Sequence, residues 1–163
     1  MGFGGAPARV HSGFWEAYLR YVRAPLFRLL EGDPPSVAKL CVGGHSMGAS
    51  AAQLCAVDLA TQPGGRDVYL HALASTRVGD PAFARLVRET PGLRAFDVKN
   101  TEDPVPPDFS SPDLGAMLFY ETSGEAISIT APAPTLELCH LTPSYHAGLA
   151  ARAARLGGGG GKN

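Results

Sequence analysis

Apolar residues recur at helical spacing between Ser12 and Leu30: Phe14, Tyr18, Tyr21, Val22, Leu26, Leu29 and Leu30. This spacing predicts a helix. Ser12 stands where an N-cap is expected, with Glu16 in the first turn. Pro25 lies inside the pattern and predicts a kink or a split, because proline removes a hydrogen-bond donor and clashes with the preceding turn.

Further along, short apolar runs alternate with helical patterns. The predicted strands are Val37–Gly43, Asp67–Ala74 and Gly92–Asn100, and the predicted helices are Gly48–Ala60, a helix opened by Asp80 and Pro81, and Pro143–Leu156. Two further strands, Ala116–Glu121 and Glu125–Thr130, are predicted to form a hairpin. The alternation of strands and helices is typical of an α/β fold with a mostly parallel sheet.

The length and the two ends of the chain define one domain. At 163 residues with 45% hydrophobic positions, the chain is long enough to bury a sizeable core. Residues 1–9 are rich in Gly and Ala and are predicted to be a loose tail, and residues 157–163 are predicted to be a flexible Gly-rich tail. The domain is therefore expected over residues 10–156.

Charge and cysteine content exclude several classes of protein. Fourteen basic and fifteen acidic residues argue against a partner that is nucleic acid or an anionic membrane surface. The three cysteines (Cys41, Cys55 and Cys139) form no C-x-x-C pair and are expected to be small core residues. No apolar run is long enough for a transmembrane segment, and the start of the chain lacks a signal peptide, which predicts by default a cytoplasmic domain or a piece of one.

The motif that carries chemistry is Gly44-His45-Ser46-Met47-Gly48, a G-x-S-x-G sequence between a predicted strand and a predicted helix. This context is that of a nucleophile elbow, a sharp turn that needs small residues such as Gly44 and Gly48 around the serine. The following helix N-terminus, with the Met47 N–H group, would stabilise an oxyanion. A phosphate loop is the alternative, but no lysine follows in the required position. Ser46 is the predicted nucleophile.

A serine nucleophile needs a general base, and the base needs an acid that orients it. Only His140 and His146 lie downstream of a plausible acid loop. Asp103 follows the third predicted strand directly, and its neighbour Glu102 competes with it. The other acids of this region are expected to be ordinary solvated carboxylates: Asp97, Asp108 and Asp113.

Five stretches stand in a recognisable order: Val10-His11-Ser12-Gly13-Phe14, Val42–Gly48, Ala56–Leu59, Arg77–Ala84 and Asn100–Pro106. Together they resemble the class 3 (fungal-type) lipase family of α/β-hydrolases. The resemblance implies Ser46 as nucleophile and Asp103 as orienting acid. It implies His140 as general base, because the family's histidine stands a few residues before an aromatic residue, as His140 stands before Tyr145; His146 ranks second.

The same resemblance implies structural roles for other motif residues. The stretch from Arg77 to Asp80 is expected to brace the loop after the second strand. His11 is expected to be structural, and His45 is expected to pack in the elbow rather than act as a base.

The implied activity is that of a serine hydrolase that cleaves carboxylic ester bonds of acylglycerol lipids, as a triacylglycerol lipase does, without a metal or organic cofactor. The partner would be a lipid ester substrate, which the chain could meet at a lipid–water interface. Two alternatives stay open. One is a phospholipase A1-like or short-chain esterase activity, and the other is a catalytically silent lipase-fold fragment that binds lipid or a partner.

The front of the chain departs from the family, whose members carry several strands and a lid before the V-H-x-G-F segment; nine residues precede it here. The chain is therefore expected to be the C-terminal, triad-bearing part of an N-terminally truncated α/β-hydrolase. The second oxyanion donor normally comes from a loop after an earlier strand. With one oxyanion donor missing, the chain is expected to be a weak esterase at best. Without the earlier strands, it is expected to self-associate through the unpaired sheet edge of Val37–Gly43.

Overall fold

A computed structural model describes residues 2–3, 6–31, 39–63, 66–105 and 123–157. The helices are α1 (Ser12–Ala17), α2 (Ala24–Glu31), α3 (Met47–Ala60), α4 (Pro81–Glu89), α5 (Leu136–His140) and α6 (Thr142–Gly157), with a π-helical segment (Tyr18–Arg23) between α1 and α2. The strands are β1 (Gly2–Phe3), β2 (Ala6–Pro7), β3 (Lys39–His45), β4 (Asp67–Leu73), β5 (Leu93–Asn100) and β6 (Glu125–Ile129). No helix in these ranges is both long enough and apolar enough to cross a membrane.

The main sheet has four strands in the order β3-β4-β5-β6, and every neighbouring pair is parallel. The predicted α/β fold with a parallel sheet is thus confirmed. The strand predicted at Glu125–Thr130 is β6, and it pairs in parallel with β5. Its expected hairpin partner, Ala116–Glu121, lies outside the described residues.

The helix predicted from Ser12 changes its winding ahead of Pro25. The wider π-helical turns end at Arg23, two residues before the proline that lacks an N–H donor, and the chain stays helical from Ser12 to Glu31. The N-cap is His11 rather than Ser12, and its side chain makes no capping hydrogen bond. The expectation of a serine cap is wrong because the helix starts one residue earlier than the pattern indicates.

The π-helical winding also places two side chains on one buried carboxylate. Tyr18 and Arg23 are five residues apart, which is the spacing of the hydrogen-bonded residues in a π-helix. The Tyr18 hydroxyl donates to Asp58 Oδ2 at 2.7 Å, and Arg23 Nε donates to the same oxygen at 2.6 Å. These bonds fasten the first helical region to α3.

Residues 8–10, at the end of the predicted tail and directly before α1, are attached to the fold. β1 pairs with β2 in antiparallel fashion, and Ala8 is buried. Val10 forms a bridge with Gly79, and the Asp80 N–H donates to the carbonyl oxygen of Arg9 at 2.9 Å. The stretch around Gly79 therefore holds the entry to α1.

The buried apolar residues form two separate clusters. The larger one joins α3, β4, α4 and the first helical region, with Tyr18, Leu54, Leu70 and Phe83 among its buried members. The smaller one consists of Ala74, Val98, Ile129 and Tyr145, and it lies where α6 packs on β5 and β6. The sheet thus lies between the cluster that supports the N-terminal helices and the cluster that supports the C-terminal helices.

β3 is the edge strand on one side of the sheet in the described part of the chain. An apolar groove of about 530 Å³ lies beside it, and its lining includes Leu26, Leu40 and Leu59. Cys41 on β3 is exposed, whereas Cys55 and Cys139 are buried. The expectation that all three cysteines are core residues is wrong for Cys41, because it points to the face of β3 opposite the half-buried Leu40 and Val42.

Candidate active site

Ser46 occupies the turn between β3 and α3 in a conformation that few residues other than glycine adopt. Its φ of 55° and ψ of −125° lie outside the regions that suit an L-residue. The Ser46 N–H donates to the carbonyl oxygen of Leu73 at 2.9 Å, which ties the turn to the end of β4. Strain of this kind at a single serine is characteristic of functional sites, and the predicted sharp turn is confirmed.

The two glycines of the motif have different roles. A Cβ atom on Gly44 would lie 2.7 Å from the backbone nitrogen of Ala49, so the strand and the helix can approach each other only with glycine there. A Cβ atom on Gly48 would have no described atom within 4 Å. The expectation that both positions must be small is correct for Gly44 and wrong for Gly48, which faces the open groove beside β3.

The structure brings Ser46, His140 and Asp103 into one hydrogen-bonded chain. His140 Nε2 lies 3.0 Å from Ser46 Oγ, and His140 Nδ1 lies 2.8 Å from Asp103 Oδ2. Ser46 follows β3, Asp103 follows β5, and His140 is the last residue of α5. Ser46 and Asp103 lie close enough for His140 to bridge them, because the carboxyl ends of parallel strands are at the same edge of the sheet.

The competing candidates lie elsewhere. His146 is exposed on α6, and Glu102 is exposed beside the buried Asp103. Asp97 is buried within β5, so the expectation of a solvated carboxylate is wrong there; both faces of this part of the sheet are covered. Asp108 and Asp113 lie outside the described residues.

The Asp103 side chain is fully buried and accepts hydrogen bonds on both oxygens. The Val105 N–H donates to Oδ1 at 2.9 Å. Oδ2 accepts from His140 and also from the Tyr145 hydroxyl, at 2.7 Å. Sequence reasoning missed this contact of Tyr145, although the stretch from His140 to Tyr145 had drawn attention to the aromatic residue.

Asn100 is a second residue that sequence reasoning missed. Its buried side-chain amide donates to the carbonyl oxygens of Ala131 at 3.0 Å and Cys139 at 3.1 Å. Its Oδ1 accepts from the Ala131 N–H at 2.9 Å. Asn100 therefore fixes the residue that precedes His140 relative to the end of β5.

His45 lies next to His140, as expected for a residue of the elbow. Its Nε2 atom lies 2.6 Å from the carbonyl oxygen of His140, and the two imidazole rings are 4.8 Å apart. The Tyr145 ring packs edge-on against His45 at 5.7 Å. His45 thus contacts the backbone of His140, in addition to packing in the elbow.

The electrostatics of the site follow from burial. Burial, together with the hydrogen bond to Asp103, raises the pKa of Tyr145 well above its ordinary value, so its hydroxyl stays protonated and can donate. Burial also raises the pKa of Asp97, and Lys99, whose Nζ lies 3.5 Å from Asp97 Oδ2, opposes that change. No three His, Cys, Asp or Glu side chains in the described residues lie close enough together to hold a metal ion.

Large apolar side chains are exposed around the serine and the histidine. Met47, the first residue of α3, is 68% exposed. Leu138 and Leu141 flank His140 and are 40% and 46% exposed. The first N–H groups of α3, beginning at Met47, have no partner within the helix. An acyl group bound at Ser46 would therefore find apolar surface together with backbone donors.

A parallel sheet that carries a serine on a strand-turn-helix, hydrogen-bonded to a histidine and an aspartate, defines an α/β-hydrolase. Residues 3–111 match the family model of lipase (class 3). The chain belongs to this family.

Relatives and solved structures agree with this assignment. The chain is 33% identical over 144 residues to phospholipase A1-II 4 of Oryza sativa subsp. japonica (75% of this chain, 36% of the relative). It is 32% identical over 139 residues to a lipase of Rhizomucor miehei (80% of this chain, 36% of the relative). The chain thus spans about a third of the length of these two relatives.

Two crystal structures show the same fold. The native lipase–propeptide complex of Rhizomucor miehei superposes with a TM-score of 0.62 at 32% identity, over 79% of this chain and 41% of that one. The mono- and diacylglycerol lipase of Aspergillus oryzae gives a TM-score of 0.62 at 32% identity, over 78% of this chain and 45% of that one.

Proposed function

We propose that this chain is a serine hydrolase that cleaves carboxylic ester bonds of acylglycerol lipids. The observation that carries the proposal is the hydrogen-bonded chain from Ser46 Oγ through His140 to Asp103. Membership of the class 3 lipases supports the same reaction, and the relatives include enzymes named as lipases and as phospholipases A1.

In the first half of the proposed reaction, His140 Nε2 takes the proton of Ser46 as Oγ attacks the ester carbonyl carbon. Asp103 holds the Nδ1–H tautomer, so that Nε2 is free to accept. The Met47 N–H stabilises the oxyanion that develops. The bond between the acyl carbon and the alcohol oxygen then breaks, and His140 gives its proton to the leaving alcohol.

In the second half, His140 takes a proton from water while the water oxygen attacks the acyl carbon. The bond between the acyl group and Ser46 breaks, and the proton returns to Ser46 Oγ. A free fatty acid leaves, and the serine and the histidine regain their starting protonation states.

The exposed apolar side chains beside the site support an acylglycerol rather than a polar ester. Met47, Leu138 and Leu141 offer apolar surface within a few residues of Ser46 and His140. Large apolar side chains exposed beside a catalytic serine suit an apolar substrate better than a polar one. We infer that the substrate is a lipid ester met at a lipid–water interface.

A fluorophosphonate probe tests the nucleophile directly, because it forms a covalent bond with an activated serine. We expect labelling at Ser46 by peptide mass analysis, complete loss of labelling and of ester hydrolysis in Ser46→Ala, and unchanged labelling in Ser128→Ala. Labelling retained in Ser46→Ala would place the nucleophile elsewhere. A folded wild-type chain that neither labels nor hydrolyses esters would favour a silent lipase-fold fragment.

Comparison of substrates separates the two lipid activities. We expect release of fatty acid from emulsified triacylglycerol to exceed release from phosphatidylcholine vesicles. The reverse order would favour a phospholipase A1-like activity, and hydrolysis confined to water-soluble butyrate esters would favour a short-chain esterase.

We further infer that a second copy of this chain is a partner. The outer side of β3 has no strand beside it among the described residues, and an apolar groove lies next to it. An exposed edge with unpaired N–H and C=O groups is a template for pairing with another strand, and two identical edges can pair around a two-fold axis.

Sedimentation velocity over a range of concentrations tests this inference. We expect the wild-type chain to form dimers and Val42→Lys, which places a charge in the groove beside β3, to be monomeric. Leu156→Lys adds the same charge at an exposed position of α6 and should leave the dimer unchanged. A wild-type chain that stays monomeric at every concentration would contradict the inference.

A further inference from the structure

The Asp103 carboxylate divides one of its oxygens between two donors. Oδ2 accepts from His140 Nδ1 at 2.8 Å and from the Tyr145 hydroxyl at 2.7 Å. The other oxygen, Oδ1, accepts from the Val105 N–H. The Asp103 charge that orients His140 is therefore shared with the Tyr145 hydroxyl, which takes no part in the proposed Ser–His–Asp mechanism.

The direction of the Tyr145 hydrogen bond follows from the neighbours of its oxygen. The Asn100 N–H donates to the Tyr145 hydroxyl at 3.3 Å, so the oxygen is an acceptor on that side. The hydroxyl has one hydrogen, and the carboxylate is the acceptor that lies within reach of it. Because Tyr145 is fully buried, water does not compete for this bond.

We propose that Tyr145 is a positioning residue that weakens the pull of the Asp103 carboxylate on the His140 imidazolium and so sets the pH at which His140 becomes a base. This inference rests on the proposed function of Ser46, His140 and Asp103. A hydrogen bond to a carboxylate spreads its negative charge and stabilises the ionised form. Without the Tyr145 hydroxyl, the same charge acts more strongly on the imidazole, and the protonated form of His140 persists to higher pH.

The other charged or titratable groups near His140 and Tyr145 stay the same when only the Tyr145 hydroxyl is removed. His45 contacts the His140 backbone from the elbow, Glu102 is exposed beside Asp103, and Asp97 acts on Tyr145 from β5. Glu137 lies three residues before His140 on α5, and the exposed His146 follows Tyr145 on α6. A shift in the titration of His140 would therefore report the lost hydroxyl.

The chain offers a matched control for this experiment. Tyr18 is also fully buried, and its hydroxyl donates to the Asp58 carboxylate at the same distance of 2.7 Å, in the first helical region. Tyr18→Phe and Tyr145→Phe thus remove equivalent bonds. A general loss of stability from the missing bond would appear in both variants, whereas only Tyr145 contacts the carboxylate that holds His140.

The test follows the His140 ring by ¹⁵N NMR as a function of pH and compares it with the pH profile of kcat/KM. In Tyr145→Phe we expect the titration midpoint of His140 to rise by about half a pH unit. The acid limb of the kcat/KM profile should move to higher pH by the same amount, with KM unchanged. Tyr18→Phe should leave both midpoints and kcat as in the wild type.

Incorporation of 3-fluorotyrosine at position 145 provides a second variant that preserves the size of the buried ring. Its hydroxyl is a stronger donor, so the His140 midpoint should fall instead of rise. A midpoint that moves in neither variant, or that moves equally in Tyr18→Phe, would overturn the inference. The NMR titration needs no turnover, so a failure of this inference can be told apart from a failure of the proposed function. The proposed function fails if the phosphonate does not label Ser46.

Discussion

His45 Nε2 lies 2.6 Å from the carbonyl oxygen of His140, so the residue before the proposed nucleophile holds the backbone of the residue proposed to activate it. Only a protonated Nε2 can donate to a carbonyl oxygen, which leaves Nδ1 of a neutral His45 without a hydrogen. The two imidazole rings lie 4.8 Å apart, but His45 binds the backbone of His140, whereas the His140 ring binds Ser46.

Loss of this bond should change the rate and leave the chemistry intact. In His45→Ala we expect kcat to fall about 10-fold with little change in KM, because His140 loses one of the contacts that orient it. Steady-state kinetics on a p-nitrophenyl ester measure both constants. A variant with the wild-type kcat would show that the His140 backbone needs no support from the elbow.

Substitution of the two late histidines distinguishes the proposed base from its competitor. His140→Ala should lower kcat by a factor on the order of 10⁴, because the Ser46 hydroxyl is a poor nucleophile without a base. His146 is exposed on α6, so His146→Ala should retain the wild-type rate. The opposite pattern of rates would make His146 the base.

The orienting acid has a matched control next to it. Asp103→Asn should lower kcat by a factor on the order of 10⁴, because an amide can hold His140 in the wrong tautomer. Glu102→Gln makes the same chemical change on an exposed neighbour and should leave kcat unchanged. Equal losses in both variants would show that the charge of the loop, and not the Asp103 hydrogen bond, matters.

Alanine at the two glycines of the elbow should have opposite effects on stability. Gly44→Ala drives a Cβ atom into the backbone of α3 and should lower the free energy of unfolding by about 1–3 kcal/mol. Gly48→Ala meets open space on a helix and should be neutral or stabilising by a few tenths of a kcal/mol. Urea denaturation of the two variants measures the difference, and equal destabilisation would contradict this account of the turn.

The buried Asp97 should make stability depend on pH. Its pKa is raised in the folded chain, mainly by burial, so the folded state holds the proton more tightly than the unfolded state. Below the unfolded value of about 3.9 there is no cost, and stability falls as pH rises through the folded pKa. Asp97→Asn should therefore raise Tm by about 2–4 °C at pH 7 and leave it unchanged near pH 3.

Thermal unfolding at both pH values, with the exposed Asp67→Asn as control, measures this effect. The control should keep the wild-type Tm at each pH, since Asp67 is already solvated. If Asp97→Asn were less stable than the wild type at pH 7, the ion pair with Lys99 would outweigh the cost of burial.

The parts of the site that lie close together in the sequence could be predicted from it. The elbow is one contiguous motif between a strand and a helix, so local patterns placed Ser46 at a sharp turn. Asp103 follows β5 directly, and the order of strands in a parallel sheet brought it near the serine. The short helix α5 was missed because five residues are too few to show a helical period.

The contacts that hold the site together could not be predicted from such patterns. The bond from Asn100 to Cys139 and the bond from Tyr145 to Asp103 join residues about forty positions apart. Periodicity reports which face of an element is buried, and it does not report where a hydroxyl or an amide points. Burial of Asp97 was missed for a related reason, since a pattern of alternating residues does not say what covers each face of a strand.

The division of the buried residues into two clusters has a consequence for inactivation by heat. Ser46 follows β3, which packs with the larger cluster, whereas His140 depends on α5, α6 and the smaller cluster of Ala74, Val98, Ile129 and Tyr145. A unit with so few buried apolar residues opens at a lower free energy than the rest of the chain. Local opening at the C-terminal end would then carry the imidazole away from the serine while the elbow stays folded, so hydrolysis would cease at a lower temperature than the one at which the sheet melts.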